Sequence, residues 1–497
     1  MSMRSLLPKR QLLWMVVVLL LATIIVGWQL LVQPIIGLGD NGDFERLLIF
    51  GRCTHVAVPD GTRFFTHIHR LFECDERASW ISYYSSQLLL IKLAVELASL
   101  LWKWGYFDLR ILTVVQLPIL LLAFAISLVA LARRPFLDSV VVGVLLLLIF
   151  CDVGYVAYFN SFYSEPGSLL WLLLTISLSL FLVLREPLGI ARLLTLGALF
   201  VAMALLVTAK AQNIPLGGPL ALLLWRLGSV GPGMGPGMGT GNRLMRWLRA
   251  SVLPLLLVGL CAVYFQVGRQ DEIKRTNLYH HVFGELLPSS SDEAADLRAF
   301  GLPESYAALR GTNWFTAGIP KDDPQFVKTF YGKVSHRSIL KFYLLRPGRL
   351  WSLCARNAYG AFELRPFLGN FEPSAHRPPM SRSFGYAKWS SLKHSLPAPA
   401  MMLLLVVLLH ICVIVGKSLR FDRTTSDRLI TELHATLLVC GGVAFGTILL
   451  GEGRGETVRY LMIVNALHDL ALLFVVGYAL AVIRRRSHAS SGSLPGI

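Results

Sequence analysis

The residues able to do chemistry in this 497-residue chain gather in a few short segments. GLGDNGDFERLL (37–48) holds Asp40 and Asp43 in a turn-prone Gly/Asn stretch, with Asn41 between them. Two carboxylates fixed there suit a general base, or ligands for a divalent cation. The plain structural alternative is a polar turn in which Asp43 is the N-cap of a helix over Phe44–Phe50. FNSFYSEP (159–166) carries Tyr163 and sets Glu165 directly before Pro166 and an apolar run. A carboxylate there orients a substrate, or simply complements a helix N-terminus. TAKAQNIP (208–215) offers Lys210 and Gln212, the lysine being a phosphate partner or a side chain snorkelling to headgroups. GEGRGETVRY (451–460) supplies Glu452, Arg454, Glu456 and Arg459. Carboxylates beside fixed cations suit transfer from a phosphate-bearing donor: the base activates a nucleophile while the cations hold the departing phosphate. On that reading Asp40, Asp43 and Glu165 are the catalytic candidates. Lys210, Arg454 and Arg459 face the donor phosphate, and Asn41, Tyr163, Gln212 and Glu456 contact substrate. His67 and His69, at i and i+2 on a strand face, could bind a metal, although solvated loop histidines are commoner. No Cys/His spacing matches a zinc site.

The elements that must position these segments are membrane helices. Charged residues make up 15% of the chain and apolar residues 54%, with a mean hydropathy of +0.58. A soluble chain carries roughly 25% charge, and several apolar runs here reach the roughly 20 residues that cross a bilayer core. A soluble enzyme, a disordered chain and a disulfide scaffold are thereby excluded. The formal charge of +17 is dispersed between the apolar runs, which points to topology and anionic lipid rather than to nucleic acid. Spans are predicted over 11–36, 109–131, 137–158, 167–184, 191–208, 214–227, 251–267, 398–415, 431–450 and 460–483. The first is read as a retained helix, because a signal peptide's apolar region runs only about 7–15 residues.

The run Gln87–Trp104 is interrupted by Lys92, Glu96 and Lys103. Laid on the surface as an amphipathic helix, it lets every basic cluster that closely flanks a span fall on one side. These clusters include Arg133/Arg134, Arg185/Arg192, Arg226/Arg243/Arg246/Arg249, Lys417/Arg420 and Arg484–Arg486. The expected fold is therefore an all-α polytopic membrane protein with about ten transmembrane helices and both termini cytoplasmic. Residues 37–106 and 268–397 then face outward. The expected division is a catalytic transmembrane module (1–267), a mixed extracytoplasmic cap (268–397) with a helical pattern at Gln325–Leu345, and C-terminal helices with a cytoplasmic tail (398–497). GPGMGPGMGTG (231–241) lacks the Lys-Ser/Thr and preceding strand of a phosphate loop and reads as a flexible linker. Cys53 and Cys74 share the first outer loop, where an oxidising compartment permits a disulfide. The residues alone leave that bond open.

GDNGDFERL, YFNSFYSEP, AKAQNIP, LGNFEPSA (368–375), KWSSLK (388–393) and GEGRGETVRYLMIVNALHDL together resemble bacterial glycan-biosynthesis hexose transferases of the GT-C glycosyltransferase superfamily. The layout is also similar to that of lipid-linked sugar transferases. These carry an acidic residue after the first span, surface helices in the first loop, an acidic residue between the third and fourth spans, and a Lys-containing turn between the fifth and sixth. The matching positions are Asp40 or Asp43, Gln87–Trp104, Glu165 and Lys210. The resemblance implies a polyprenyl-phosphate sugar donor, an inverting single displacement and a glycan or lipid acceptor. It also implies a bacterial cytoplasmic membrane with the active site facing outward. Two departures, DNGD in place of an Asp-Glu pair and RGETVRY in place of a terminal Arg-His, leave open which Asp is the base and whether a divalent cation takes part. The rival reading is a transporter or flippase of lipid-linked glycans. It requires polar residues near the midplane, for which Gln116, Asp152, His410, His434 and Asp469 are the candidates. A scaffolding protein is the third reading, and no segment points to its partner.

Overall fold

The computed structural model describes residues 8–48, 53–56, 63–74, 83–102, 105–230, 240–268, 271–419, 424–452 and 456–491. Arg454 and the glycine-rich 231–239 lie outside them. Eight described helices are long and apolar enough to cross a bilayer: Lys9–Leu31, Arg110–Leu131, Glu165–Arg185, Gly189–Ala209, Ala250–Val267, Pro399–Ser418, Thr425–Gly451 and Met462–Ser487. The protein is thus a polytopic α-helical membrane protein. A further crossing is broken: Phe136–Phe150 and Val153–Phe159 meet at 54°. Asp152 makes the break. Its backbone is extended and its Oδ1 accepts the Gly154 N–H, capping the second half. Gln29 of the first span donates to the Cys151 carbonyl at 3.1 Å, so an acceptor at the break does not go unpaired in the bilayer.

The span expected over 214–227 is composite. Ala211–Leu216 is a 3-10 segment and Gly217–Ser229 an α-helix of 13 residues, too short to cross alone. At about 2.0 Å per 3-10 residue and about 1.5 Å per α residue, the two together cover roughly 31 Å. The neighbouring 21-residue helix Gly189–Ala209 has the same length. Arg192, near that helix's start, donates to the Leu227 carbonyl at 2.6 Å, so the composite runs back along its neighbour end to end. The ten crossings expected thus correspond to eight single helices, one broken pair and this composite. Gln87–Trp102 is a 16-residue helix and does not reach spanning length. Leu89, Leu93 and Leu100 are exposed along it, as are Lys92 and Glu96, the pattern of a helix lying in an interface.

The two ends of the bundle differ in charge. At one end Arg133 donates to the Arg185 carbonyl, Arg226 pairs with Glu432, and Arg484 pairs with Asp138. At the other end lie the segments around Asp43, Glu165, Lys210 and Arg459. There a three-stranded antiparallel sheet, β1 (Cys53–His55), β2 (Leu71–Cys74) and β3 (Tyr106–Asp108), folds the first loop. A disulfide joins Cys53 to Cys74 across β1 and β2.

Residues 268–397 divide between two cores. The helices from Asp271 to Asn357 build their own core around Tyr279, Phe283, Phe326, Phe330 and Leu353. The helical pattern at 325–345 is two helices, Pro324–Lys333 and His336–Leu344. Val334 is extended, and Ser335 with Ser338 forms a capping box that restarts the helix. The following segment joins the main core through Leu364, Leu368 and Ala387. It also interleaves with the first loop: Gly369 N–H donates to Phe65, Gly39 N–H to Gly369, and Ile68 N–H to Phe371. A Cβ at Gly369 would stand 1.8 Å from the Thr66 carbonyl oxygen, so this crossing admits only glycine.

Candidate active site

The DNGD turn sorts its two carboxylates into different environments. Asp40 is 2% exposed. Its Oδ1 accepts the N–H groups of Gly42 (2.7 Å) and Phe44 (3.2 Å), and its Oδ2 meets His55 Nε2 on β1 at 3.1 Å. Asp40, not Asp43, therefore ties down the turn that leads into the short helix Glu45–Leu48. Gly42, with φ of +100°, lets the chain turn between them. The Asp43 side chain is released to the other face, where it meets Arg46 at 3.0 Å and Arg459.

Arg459 is the hub. Its Nε donates to Glu456 Oε2 (2.6 Å), one terminal nitrogen to Glu165 Oε1 (3.3 Å) and the other to Asp43. The guanidinium also packs on the rings of Tyr163 (4.5 Å) and Tyr460 (4.6 Å). Lys210 donates to Glu165 Oε1 at 2.9 Å and sits 4.4 Å from the Tyr460 ring centre. Asn41 closes the ring of contacts, donating through Nδ2 to Glu456 at 2.6 Å. The Tyr163 hydroxyl accepts the Asn41 N–H and donates to the Gly39 carbonyl. Residues from four separated segments thus form one network.

Burial alone would raise the Asp43 carboxyl, but Arg459, Arg46 and Lys210 outweigh it and hold it at about 2. Burial lowers the Arg459 guanidinium, and Glu456, Asp43 and Glu165 reverse that and push it well above its ordinary value. The Tyr163 hydroxyl is pushed far up, chiefly by burial, and stays protonated.

Asp43, Tyr163, Lys210, Gln212 and Arg459 line a cavity of about 480 Å³. Glu165, Glu456 and Asn41 stand behind this wall and act on it through Arg459 and Lys210. Spacing did not single out the remaining cations of the cavity, Arg46, Lys274 and Arg337. Arg46 was within reach, since it belongs to the same motif as Asp43. Lys274 and Arg337 lie in helices of the outer core and carry no local sign of their destination. Apolar and aromatic surface from Tyr83, Phe162, Ile214, Tyr264 and Phe265 completes the lining. The cavity therefore pairs one carboxylate with five Arg or Lys side chains and an apolar wall. Among the described residues, no group of three or more His, Cys, Asp or Glu is placed to hold a metal. The three carboxylates that converge do so on a guanidinium, so these donors do not fit a divalent cation.

Four of the five polar residues expected near the midplane have hydrogen-bond partners. Asp152 Oδ2 accepts Trp389 and Ser390 N–H, capping the helix Lys388–His394. Lys393 of that helix pairs with Asp469 at 3.0 Å and with Asn465 at 2.6 Å. Asp469 also accepts from Tyr155 and Trp389, each at 2.7 Å. KWSSLK is thereby explained as the plug that docks the outer segment on the bundle. His410 and His434 bond to each other at 3.0 Å, and Gln116 is buried with neither amide atom bonded among the described residues.

Among curated proteins, none matches the chain. Two solved structures align with 98% of it, both of an oligosaccharyltransferase from the archaeon Archaeoglobus fulgidus. One is AglB in complex with an inhibitory peptide and a dolichol-phosphate, at 12% identity and a TM-score of 0.41. The other is the apo form, at 10% identity and a TM-score of 0.40. The alignments take in 53% and 52% of those chains, so the protein spans about half the length of the structures it matches. A family model described as the YfdI N-terminal transmembrane domain matches residues 4–492, and the chain belongs to that family.

Proposed function

We propose that the protein is a membrane glycosyltransferase that moves a sugar from a polyprenyl-phosphate donor to a hydroxyl of a cell-envelope glycan or lipid. The observation that carries this reading is the cavity in which Asp43 is the single carboxylate among five Arg and Lys side chains. The motif resemblance supports the same chemistry. Asp43 takes the proton from the acceptor hydroxyl as its oxygen attacks the anomeric carbon. The bond from that carbon to the phosphate oxygen breaks, the configuration inverts, and the departing phosphate carries the electron pair. The lipid tail leaves along the apolar wall.

A carboxylate held at about 2 is a poor proton acceptor. The arriving phosphate adds negative charge beside it and draws Arg46 and Lys210 to itself, which raises Asp43 toward the range where it works as a base. Binding the donor thus arms the base. Arg459 already engages three carboxylates, so on this reading it mainly positions Asp43. Lys210, Arg46, Lys274 and Arg337 hold the phosphate, and Gln212 and Tyr163 shape the sugar pocket. The site faces outward, because the basic clusters gather at the opposite end of the bundle and such clusters favour the cytoplasm. The test is transfer of radiolabelled hexose from polyprenyl phosphate by the purified protein in detergent, with envelope lipid extract as acceptor. Transfer is expected. Absence of transfer from every polyprenyl-phosphate hexose tried would remove this reading.

A further inference from the structure

A second cavity lies at the opposite, basic end of the bundle and plays no part in the transfer reaction. It holds about 240 Å³ between the helices Arg110–Leu131, Phe136–Phe150, Glu165–Arg185, Thr425–Glu452 and Met462–Ser491. Its depth is apolar, walled by Phe124, Leu173 and Leu470, and its mouth is basic, with Arg134, Lys417 and Arg485. Arg134 and Arg485 are exposed. Of the other charges on the wall, Arg484 and Asp138 satisfy each other at 2.5 and 3.0 Å, and Asp427 accepts from the Thr424 hydroxyl at 2.8 Å. Four cations thus face two carboxylates. Even deep in the slot, Ser127 and Ser177 bond to each other at 2.8 Å, so the wall strands no hydroxyl against an apolar occupant.

We propose that this cavity binds an anionic phospholipid from the leaflet at that end, its phosphate on Arg134 and Arg485 and one acyl chain along Phe124, Leu173 and Leu470. An apolar slot ending in surplus positive charge complements an amphiphile with an anionic head, and the surrounding bilayer supplies such molecules. A zwitterionic headgroup brings its own cation and forfeits the attraction.

The test is a titration of the full chain in neutral detergent with phosphatidylglycerol or phosphatidylcholine, counting bound lipid by native mass spectrometry. Phosphatidylglycerol should saturate one site at least about tenfold more tightly than phosphatidylcholine, as a net two-cation surplus requires. Gly477 lines the slot and a Cβ there meets nothing within 4 Å. Gly477→Leu should therefore fill the slot in a folded protein and abolish the retained lipid. Arg134→Ala with Arg485→Ala, both at exposed positions, should weaken phosphatidylglycerol about thirtyfold, a factor of about five per cation, and leave phosphatidylcholine unchanged. Equal binding of the two lipids, wild-type retention by Gly477→Leu, or full displacement by equimolar inorganic phosphate would each overturn the proposal.

Discussion

At the scale of single residues, two aspartates three positions apart have different parts to play. Asp43→Asn should lose about 10²–10⁴-fold in transfer while the protein stays folded, the range a positioned base contributes. Asp40→Ala should instead act on stability. It removes the acceptor for two backbone N–H groups and for His55, and Tm rather than specific activity is the readout. The Asp43 ion pairs also set a pH dependence. The folded-state value, about 2, lies below the ordinary aspartate value of 3.8. The stabilisation is therefore present above about pH 4 and is lost as pH falls through 2, and it amounts to roughly 2 kcal/mol at most. Tm in detergent should fall over that interval in the wild type and less steeply in Asp43→Asn. Arg459→Ala removes the partner shared by three carboxylates, one of them, Glu165, buried, and should cost about 3–5 kcal/mol. Arg459→Lys keeps the charge but loses the fork that reaches all three, so it should fold and still transfer poorly. Equal activity of Arg459→Lys and wild type would show that charge alone is needed.

At the scale of elements, the site depends on two docking events that bring the outer segments onto the bundle. One is the crossing of Gly369 over Thr66. Gly369→Ala forces the backbones apart and should cost 1–3 kcal/mol or more by the usual range for overpacking, read as a lowered Tm and loss of the Phe65–Gly369 hydrogen bond. The other is Lys393 on Asp469. Lys393→Met alone leaves a buried carboxylate with two neutral donors and should be strongly destabilising. Lys393→Met with Asp469→Leu should recover much of the loss. Most of the spans were legible because about 20 apolar residues announce themselves, and Asp43, Glu165, Lys210 and Arg459 were legible because each sits within a few residues of a span end. The split roles of Asp40 and Asp43 were not, since they depend on His55 reaching back from a strand. The composite crossing at 211–229 was placed by its apolar run, but its 3-10 half was invisible to periodicity. Lys274 and Arg337 reach the cavity only through the packing of the outer core.

At the scale of the whole molecule, one end of the bundle is basic and the other carries the carboxylate–guanidinium network. Reporter fusions after Gly231 should read cytoplasmic and fusions after Ser289 extracytoplasmic, and an outward reading at Gly231 would invert the proposed orientation. Both cavities then sit on the same scaffold, one opening to each leaflet, with the helices Glu165–Arg185 and Met462–Ser491 running between them. The central claim is that Asp43 drives sugar transfer from a lipid phosphate held by the surrounding cations. The most direct measurement is single-turnover transfer from saturating polyprenyl-phosphate hexose, comparing wild type with Asp43→Asn at equal donor occupancy. The account predicts that Asp43→Asn binds the donor at least as tightly, having lost a competing anion, and transfers the sugar at least about a hundredfold more slowly. Transfer by Asp43→Asn at the wild-type rate would contradict it.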